Sequence, residues 1–448
     1  MNLKLLKSKL SSKKAFKSEL SPLFGRITKV SPTIIYANGL NPKLGDLVGM
    51  QDELKPQLGM VILAQDGIFG ISPFNLSEGL RVGDKVFLRS DGLKFPIGHS
   101  LLGRVVDPLG NPIDGKEALQ NTEPYPIINA PIAPLQRHLI DQPFETSIRA
   151  IDGLLTCGKG QKIGIFAGSG GGKSTLLSMI IKGAEFLNQE GKEGDKKVIK
   201  VIALIGERGR EVPEFIQKNL HNNLENTIIV VATSDDSALM RKYGAFYAIS
   251  IAEFFKNQGF DVLFVMDSIT RFAMAQREIG LSLGEPPTTK GYPPSVLGLL
   301  PKLMERCGRD QFGSITAFFT ILVEGDDMSD PIADQSRSIL DGHIILSREL
   351  AQNTHFPPID ILSSASRLRD SLISKEHKEL AQKFQQLYSI LRENELLIRL
   401  GSYVPGSDKE LDLALSKKVL LEDFLKQNED EKISLKETIE ALKNILIH

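Results

Sequence analysis

Residues 167–174, with the sequence AGSGGGKS, decide the fold of this chain. They follow the short apolar run 162–166 and open a segment with helical periodicity, so they join a buried strand to a helix. Small residues let backbone N–H groups wrap a phosphate, and the helix N-terminus that follows favours negative charge. A glycine-rich turn that binds nothing rarely carries Lys and Ser in this order. The stretch therefore predicts a nucleotide-binding P-loop.

Individual roles within the P-loop follow from its chemistry. Lys173 is predicted to reach the β- and γ-phosphates of ATP, and the Ser174 hydroxyl is predicted to bind Mg²⁺. The predicted nucleotide contacts come from the whole loop and the next residue: Ala167, Gly168, Ser169, Gly170, Gly171, Gly172, Lys173, Ser174 and Thr175. A dinucleotide-binding interpretation is poor, because Lys and Ser follow the glycines directly and no acidic ribose-binding residue stands at the right distance.

Apolar runs alternate with helical segments around the P-loop. The predicted strands are residues 162–166, 198–205, 227–232, 262–266 and 314–323. This alternation indicates a parallel α/β sheet. The polar stretch 188–197 is predicted to be a solvated loop between a helix and the next strand.

Two carboxylates stand at the ends of predicted strands. Asp267 ends the run 262–266, where a carboxylate can hold the water shell of Mg²⁺ and can also cap the helix that follows. Residues 206–211, GERGRE, follow another apolar strand, and hydrolysis needs a carboxylate there to orient the attacking water. Glu207 is our candidate. Spacing alone leaves this role open, since a charged loop is as often a solvated surface.

The regions outside the α/β sheet have patterns of their own. Residues 1–22 carry six lysines and one glutamate, with Leu3, Leu6 and Leu10 at helical spacing, which predicts a basic amphipathic helix. Short β-rich runs at 26–30, 33–36 and 85–88, separated by turn residues, predict a small β-barrel. Strand patterns end near Arg369, and residues 375–448 predict amphipathic helices broken at 401–408.

These patterns predict a multidomain α/β fold. Its parts are a small N-terminal β-barrel, a central P-loop α/β domain and a C-terminal α-helical domain. The predicted boundaries are 1–22 for the N-terminal helix, 23–97 for the barrel, 98–368 for the ATPase domain and 369–448 for the helical domain.

Composition excludes several other classes of protein. Lys plus Arg (54) nearly balances Asp plus Glu (55), so no global field draws the chain to nucleic acid or membrane. The two cysteines, Cys157 and Cys307, cannot form a disulfide framework and belong to no metal-spaced cluster. No apolar run approaches the roughly 20 residues that span a bilayer, and the Lys-rich N-terminus lacks the apolar core of a signal peptide. We expect a cytoplasmic protein.

Several motifs together resemble the catalytic subunits of rotary ATP synthases and their export relatives. They are AGSGGGKST at 167–175, GERGRE at 206–211, VLFVMDSITRFAMAQREIG at 262–280 and PPIDILSSASR at 357–367. Three longer stretches, GLLTCGKGQKIGIFAGSG, GEPPTTKGYPPSV and EGDDMSDPIADQSRSILDGHIILSREL, are similar to the type III export ATPases, flagellar and virulence-associated. The resemblance runs from about residue 25 to the C-terminus and implies that the central domain is RecA-like.

The resemblance implies catalytic roles by motif position. Lys173 matches the P-loop lysine, Glu207 the catalytic glutamate and Arg208 a neighbouring arginine that contacts phosphate. Arg367 matches the arginine finger, a cation presented across a subunit boundary to the transferring phosphoryl group. Ser174 and Asp267 match the two residues that hold the metal.

The resemblance also implies roles for residues outside the catalytic motifs. Phe356 matches the aromatic residue that stacks on adenine, and Tyr403 is a candidate for a second wall of that pocket. Arg271 matches an arginine that orients the acidic groups, with a purely structural role equally open. Gly171 departs from the family pattern, which has a β-branched residue there. The backbone cradle should survive this change because glycine tolerates the required conformations.

The implied function is Mg²⁺-dependent ATP hydrolysis by a homohexameric ring that energises type III export of flagellar proteins across the inner membrane. ATP and Mg²⁺ are the implied substrate and cofactor. The implied partners are further copies of the chain, a stalk-like regulator that binds the N-terminal helix, a central-stalk coiled-coil protein, the membrane export gate, and export substrates with their chaperones. A weak contact with anionic lipid is a further possibility at the cytoplasmic face of the inner membrane, and nucleic acid is not expected.

Four alternatives stay open at this stage. The virulence-associated export ATPase has nearly the same motifs. A proton-driven ATP synthase catalytic subunit fits the DDMSDPIADQSRSILDGH segment less well. A hexameric RNA translocase should have aromatic and basic residues interleaved in its barrel, and the predicted barrel of this chain has little of that pattern. A ring subunit that binds nucleotide only for structure would not need Lys173 together with Glu207.

Overall fold

The computed structural model describes residues 24–75, 78–90, 92–168, 170–190, 198–220, 224–323 and 327–447. The predicted helix 1–22 and Ser169 of the P-loop lie outside these ranges. Within them, no helix is long and apolar enough to cross a bilayer. Both cysteines are buried and free. The chain divides into two compact units between Leu93 and Lys94.

A closed antiparallel barrel forms the first unit. Its strands follow one another in the spatial order β1-β2-β5-β4-β3-β6, and β6 pairs back onto β1. They are β1 (Phe24–Val30), β2 (Ile35–Asn38), β3 (Leu47–Met50), β4 (Gln57–Gln65), β5 (Ile68–Pro73) and β6 (Lys85–Ser90). The predicted barrel is confirmed. Strand β2 begins two residues later than predicted, because Ser31 N donates to Ile34 O at 3.2 Å and closes a turn there.

Side chains that alternate along these strands fill the barrel. Inward-facing positions recur every second residue in a β-strand, and the buried strand residues belong to one cluster: Ile27, Ile35, Ala37, Val48, Met50, Val61, Phe69, Ile71 and Val86. Leu80, from the connection between β5 and β6, joins the same cluster.

The central sheet of the second unit has nine strands. Eight follow the order β19-β18-β12-β17-β15-β13-β14-β8, and the ninth, β16, pairs with β17 beside this path. The strands from β18 to β8 are parallel, whereas β19 and β16 are antiparallel to their neighbours. The bounds are β8 (Arg104–Val106), β12 (Lys162–Ala167), β13 (Ile199–Glu207), β14 (Thr227–Thr233), β15 (Asp261–Asp267), β16 (Gly308–Arg309), β17 (Ser314–Leu322), β18 (Gly342–Leu346) and β19 (Ala365–Ser366).

The predicted strands agree with this sheet to within two residues at each end. Four strands of this sheet were not predicted: β8, β16, β18 and β19, which have two to five residues each. Four further short strands form two-stranded pairs: β7 (Lys94–Ile97) with β9 (Glu123–Pro126), and β10 (Pro143–Phe144) with β11 (Cys157–Gly158).

Eight α-helices precede residue 353 in the described part of the second unit. They are α1 (Arg149–Leu154), α2 (Lys173–Glu190), α3 (Glu211–Leu220), α4 (Ala238–Asn257), α5 (Ile269–Ser282), α6 (Pro294–Met304), α7 (Pro331–Ile339) and α8 (Arg348–Gln352). The loop predicted from residue 188 begins too early, because α2 continues to Glu190. Gln and Glu are good helix formers, which allows this extension.

The C-terminal segment is helical, as predicted. It contains α9 (Arg369–Leu372), α10 (Lys375–Glu393), α11 (Glu395–Arg399), α12 (Lys409–Leu425) and α13 (Leu435–Ile447). The break at residues 401–408 is confirmed, and it ends where the Asp408 carboxylate accepts hydrogen bonds from the first N–H groups of α12. A second break, residues 426–434, was not predicted. The domain boundaries at residues 22, 97 and 368 remain our proposal.

Helix α1 packs the C-terminal helices onto the α/β sheet. Ile151 and Leu154 are fully buried and belong to the same cluster as Phe424 and Leu442. A Cβ added at Gly153 would lie 3.0 Å from Thr438 Cγ2, so glycine permits this close contact. The helical segment therefore shares one hydrophobic core with the sheet.

A buried ion pair holds α4 against the segment that follows α6. The Arg306 guanidinium is fully buried and binds both carboxylate oxygens of Glu253 at 2.6 Å. It also donates to Ile127 O and to Ser250 Oγ, each at 2.8 Å. These bonds satisfy a charge that would otherwise be costly to bury.

We predict that Arg306→Ala lowers the free energy of unfolding by about 3–5 kcal/mol, because it leaves the Glu253 carboxylate buried without its partner. Arg309→Ala is the matched control. Its partner Asp141 is 66% exposed, so the loss should stay below about 1 kcal/mol. Thermal melting of both variants measures the difference, and equal shifts would contradict a structural role for the buried pair.

Candidate nucleotide site

The P-loop leaves β12 at the carboxyl edge of the sheet. Gly170 and Gly172 have φ of 76° and 78°, a left-handed conformation that favours glycine. A Cβ added at Gly172 would lie 2.9 Å from Pro358 Cγ, so the loop and the 356–358 segment approach closely. Gly171 does not need a left-handed backbone, and its N–H donates to Gly168 O at 3.2 Å. That bond closes the loop at the position where the chain departs from the family pattern.

Lys173 meets the two predicted carboxylates. Its Nζ donates to Asp267 Oδ1 at 2.6 Å and lies 3.6 Å from Glu207 Oε1. Thr320 Oγ1 donates to the same Asp267 oxygen at 2.7 Å. Burial lowers the pKa of Lys173, but the charges of Asp267 and Glu207 outweigh burial and raise it. Three charged groups from separate parts of the sequence thus share one site.

Strand order explains why these groups meet. Asp267 ends β15 and Glu207 ends β13, and the two strands are parallel neighbours. Carboxyl ends of parallel strands lie at the same edge of a sheet, beside the P-loop that follows β12. The helix cap considered for Asp267 belongs instead to Ser268, whose Oγ accepts from Arg271 N at 3.3 Å. The Asp267 carboxylate is therefore available for the site.

The Glu207 carboxyl has an unusual acidity. Burial, followed by the charge of Asp267, raises its pKa to about 7, although Lys173 acts in the opposite direction. A hydrogen bond with Glu211 adds to the rise. A carboxyl with a pKa near the pH of the cytoplasm is suited to accept a proton from water.

A cavity of about 500 Å³ adjoins these groups. Its lining includes Ser174, Thr175, Glu207 and Asp267, together with side chains of α3 and Glu429. The oxygen donors of Ser174 and Asp267 fit Mg²⁺, which prefers oxygen ligands and usually takes only one or two from protein. Accordingly, the described residues contain no cluster of three or more His, Cys, Asp or Glu that could hold a metal by itself.

Arg208 does not contact the charged groups of the site. Its side chain is 65% exposed and lies 3.6 Å from Oε1 of Glu211, three residues further along the chain. Arg271 lies closer to the site, since a Cβ added at Gly206 would be 2.8 Å from Arg271 Cβ. The Arg271 Nε is buried and makes no hydrogen bond with the described residues.

Phe356 lies next to the P-loop, whereas Tyr403 does not. Phe356 is 41% exposed, and its Cε1 is 3.8 Å from the Cβ position of Gly172. Tyr403 donates to Asp412 Oδ1 at 2.8 Å, near the start of α12. Phe356 O accepts from Gln427 N at 2.9 Å, just beyond the end of that helix. The two aromatic rings are thus attached to opposite ends of a helix roughly 25 Å long. The prediction that Tyr403 forms the second wall of the same pocket does not fit this arrangement.

Arg367 lies at the opposite edge of the sheet from the P-loop of its own chain. Its N–H donates to Asp341 O at 3.0 Å, immediately before β18, and its Nη2 donates to Arg337 O at 3.2 Å. Strand β18 runs parallel to β12, with Ala167 opposite Leu346 at the carboxyl edge. The five residues of β18 place Arg367 roughly 16 Å from that edge.

Sequence reasoning missed two residues at the site. Arg348 follows β18 at the carboxyl edge, and a Cβ added at Gly168 would overlap its guanidinium. The polar pair Ser347–Arg348 directly after an apolar run was a signal for such a position. Glu429 lines the cavity from the second helix break. No sequence pattern places this residue, because it reaches the site only through the packing of α12.

The fold and the site define a P-loop protein with a nucleotide-binding α/β domain, and comparison with known proteins narrows the class. Residues 147–366 match the ATP synthase alpha/beta family, nucleotide-binding domain, and residues 373–444 match the T3SS EscN ATPase C-terminal domain. The chain is 57% identical to the flagellum-specific ATP synthase of Helicobacter pylori over 448 residues, which is all of both chains. It is 44% identical to a type 3 secretion system ATPase of Sinorhizobium fredii, covering 93% of this chain and 90% of that one.

A solved structure agrees with these relatives. The assembled ATPase EscN in complex with its central stalk EscO, from enteropathogenic E. coli, superposes with a TM-score of 0.84 at 42% identity and covers 94% of this chain and 99% of that one. The chain belongs to the family of flagellum-specific ATP synthases and type III secretion ATPases. It is an ATPase, with ATP as substrate and Mg²⁺ as cofactor.

Glu207→Gln should gain thermal stability relative to the native chain as the pH rises from about 5 to about 8 in nucleotide-free protein. The raised pKa means that folded Glu207 holds its proton more tightly than the unfolded chain does. The resulting stabilisation is complete below the ordinary pKa of glutamate and is lost as the pH rises through about 7. Glutamine has no such proton to lose. Melting temperatures at each pH unit measure this change.

Glu214→Gln on α3 is the control. Lys218 lowers the pKa of the exposed Glu214, so its contribution changes only at lower pH and should be flat over the same range. A difference between Glu207→Gln and the native chain that does not vary with pH would mean that Glu207 titrates normally.

Proposed function

We propose that this chain hydrolyses ATP in a homohexameric ring and thereby energises type III export of flagellar proteins. The observation that carries the proposal is the contact of Lys173 with both Asp267 and Glu207 beside a cavity of about 500 Å³. On this proposal, one chain supplies a phosphate-binding lysine, a metal-binding carboxylate and a base. Identity to the flagellar relative (57%) exceeds that to the type 3 secretion relative (44%), which favours flagellar export over the virulence system.

Nucleotide binding would exchange the partners of Lys173. In the structure the ammonium group binds Asp267, and the phosphate oxygens of ATP would take that place. The exchange frees the Asp267 carboxylate to share the metal with the Ser174 hydroxyl. Mg²⁺ supplies charge neutralisation at the phosphates. Lys173 then contributes to positioning the γ-phosphate beside Glu207.

Glu207 is proposed to orient the attacking water and to accept its proton. The carboxyl is only partly exposed, lies beside the cavity and has a pKa raised to about 7. Release of Lys173 to the phosphates removes one charge that opposes proton uptake by Glu207. Arg208 is proposed to contact a phosphate oxygen after leaving Glu211, which its exposed position permits.

The adenine base is proposed to stack on Phe356. The partly exposed ring stands beside Gly172, with its Cε1 3.8 Å from the Cβ position of that residue. An aromatic ring next to a phosphate-binding loop provides an apolar surface on which the adenine base can stack. Tyr403 is not part of this proposal.

Arg367 is proposed to complete the site of a neighbouring copy. Its distance of roughly 16 Å from the carboxyl edge of its own sheet prevents a contact with its own P-loop. A cation at that place can reach a phosphate only across a subunit boundary. Six identical copies in a ring would give every P-loop one such finger.

Further partners are proposed from surface properties. Helices α11 and α12 and the break between them expose large apolar side chains, a composition that suits a coiled-coil stalk: Leu396, Leu397, Leu400, Val404, Val419 and Leu420. EscN is bound to its central stalk EscO in the related structure. The lysine-rich segment 1–22 is proposed to bind a stalk-like regulator, with weak contact to anionic lipid. The export gate, substrates and chaperones complete the proposal, at the cytoplasmic face of the inner membrane.

Lys173→Ala and Glu207→Gln should lose activity by different routes. Lys173→Ala removes phosphate contacts, so both ATP binding and hydrolysis should fall, the latter by at least about 100-fold. Glu207→Gln should bind ATP nearly as the native chain does and lose about 100- to 10,000-fold in turnover, because it acts only on water. Fluorescent-nucleotide binding and phosphate release separate the two defects. Near-native hydrolysis by Glu207→Gln would transfer the base role to another group such as Glu211.

Mixtures of two inactive variants should recover activity. Arg367→Ala should lose at least about 1,000-fold in turnover but keep an intact P-loop. Lys173→Ala keeps an intact finger, so a mixed ring contains some complete sites. Phosphate release is measured over a range of mixing ratios, with mixed assemblies verified by two affinity tags. Mixed assemblies without recovered activity would refute a shared site, and Arg337→Ala mixed with Lys173→Ala serves as the control for a nearby cation.

A further inference from the structure

We infer that Gln427 is a positioning residue for the nucleotide base: it holds Phe356 at the distance from the P-loop that stacking on adenine requires. The inference rests on the proposed role of Phe356. It concerns residues 426–431, which begin directly after α12 and lie between α12 and α13. We name this segment the domain linker because it connects the helical segment to the nucleotide site. The linker reaches the nucleotide site through packing alone, so no motif marks it.

Gln427 ties three parts of the chain together. Its backbone N–H donates to Phe356 O at 2.9 Å. Its Oε1 accepts from Arg149 N at 2.9 Å, and its Nε2 donates to Ser147 O at 2.7 Å. A further bond from Nε2 to Glu431 O, at 2.9 Å, folds the linker onto itself. The residue is 5% exposed, so these bonds form away from water, where each is costly to lose.

Phe356 needs such an anchor because it belongs to no helix or strand. It lies in the irregular segment between α8 and β19. On its C-terminal side, Ser347 N donates to Pro358 O at 2.9 Å and fixes the segment against the end of β18. The bond from Gln427 fixes the carbonyl of Phe356 itself. The position of the Phe356 ring relative to Gly172 therefore depends on where the domain linker is held.

The linker is also fastened to the helix that follows the P-loop. Ser178 Oγ donates to Glu429 Oε1 at 3.0 Å, and the Lys182 ammonium binds Asp430 Oδ1 at 2.8 Å. Ser178 and Lys182 are one turn apart on α2 and are both buried. One short segment thus contacts the P-loop helix and the aromatic residue. It therefore links the position of Phe356 to that of the P-loop helix.

The side chain of Gln427 performs the anchoring, and its backbone transmits the position. Gln427→Ala keeps the N–H that bonds to Phe356 but removes the bonds to Arg149, Ser147 and Glu431. The linker then loses its attachment next to α1, and the Phe356 carbonyl loses a fixed partner. The phosphate-binding groups are untouched, because none of these bonds involves Lys173, Glu207 or Asp267.

The experiment compares full-length native protein with Gln427→Ala, Phe356→Ala and the double variant. Each is assayed for kcat and KM with Mg-ATP, and for inhibition by inorganic tripolyphosphate with Mg²⁺, which has phosphates and no base. We expect Gln427→Ala to raise KM for ATP about three- to tenfold, the range that a stacking contact provides, with kcat and the tripolyphosphate inhibition constant within about twofold. Phe356→Ala should do at least as much, and the double variant no more than Phe356→Ala.

Gln427→Glu is the second variant in case Gln427→Ala is poorly folded, since it keeps the shape and the acceptor for Arg149 N while losing both donated bonds. Gln385→Ala is the control, because this α10 glutamine accepts from Arg369 at 3.0 Å and, among the described residues, has no hydrogen bond to the linker. It should leave KM unchanged.

The outcomes separate the inference from the function on which it rests. An unchanged KM in Phe356→Ala would overturn the stacking role, and the inference with it. A raised KM in Phe356→Ala with an unchanged KM in both Gln427 variants would overturn the inference alone. Equal losses for ATP and tripolyphosphate, or additive effects in the double variant, would also overturn it, because Gln427 would then act on the whole site and not through Phe356.

Discussion

The contact between Lys173 and Asp267 is the constraint on which the rest of the site depends. A lysine held this deeply in protein keeps its charge only if a carboxylate stands beside it, and here the N–O distance is 2.6 Å. The same burial raises the pKa of Glu207, the second carboxyl nearby. In the absence of nucleotide the three groups satisfy one another. The triphosphate of ATP offers Lys173 more negative charge than Asp267 does, so binding can release both carboxylates for the roles proposed for them.

The parallel sheet makes this contact possible, and it also imposes a limit. Strands β12, β13 and β15 all deliver their carboxyl ends to one edge, where the P-loop, Glu207 and Asp267 meet. Arg367 stands before the amino end of β18 and cannot reach that edge within its own chain. If Arg367 is the finger, as proposed, it needs a second copy of the chain to reach a phosphate. Sheet geometry thus gives a physical reason for the proposed ring.

The C-terminal helical segment is joined to the nucleotide site by a shared hydrophobic core and by polar contacts. Through α1 it shares a hydrophobic core with the sheet, with Ile151 and Phe424 in one buried cluster. Through the domain linker it contacts Phe356 on one side and Lys182 of the P-loop helix on the other. A change in the position of the P-loop helix is thus coupled to α12 by short polar contacts, while the apolar core keeps the helices attached. The exposed apolar side chains of α11 and α12 lie on this same segment.

The sequence by itself determined the elements and the chemistry that depend on local order. The P-loop, its lysine and serine, the strand ends at Glu207 and Asp267, and the barrel all follow from periodicity and turn residues, which are properties of neighbouring residues. Ser268 as the helix cap was decided by one local hydrogen bond that a pattern does not resolve. Tertiary structure alone decided which side chains share a site. Tyr403 and Gln427 lie at the two ends of one helix, and only the packing of α12 against α1 brings Gln427, not Tyr403, to Phe356. Contacts of this kind join residues far apart in the chain, and no short-range pattern in the sequence encodes them.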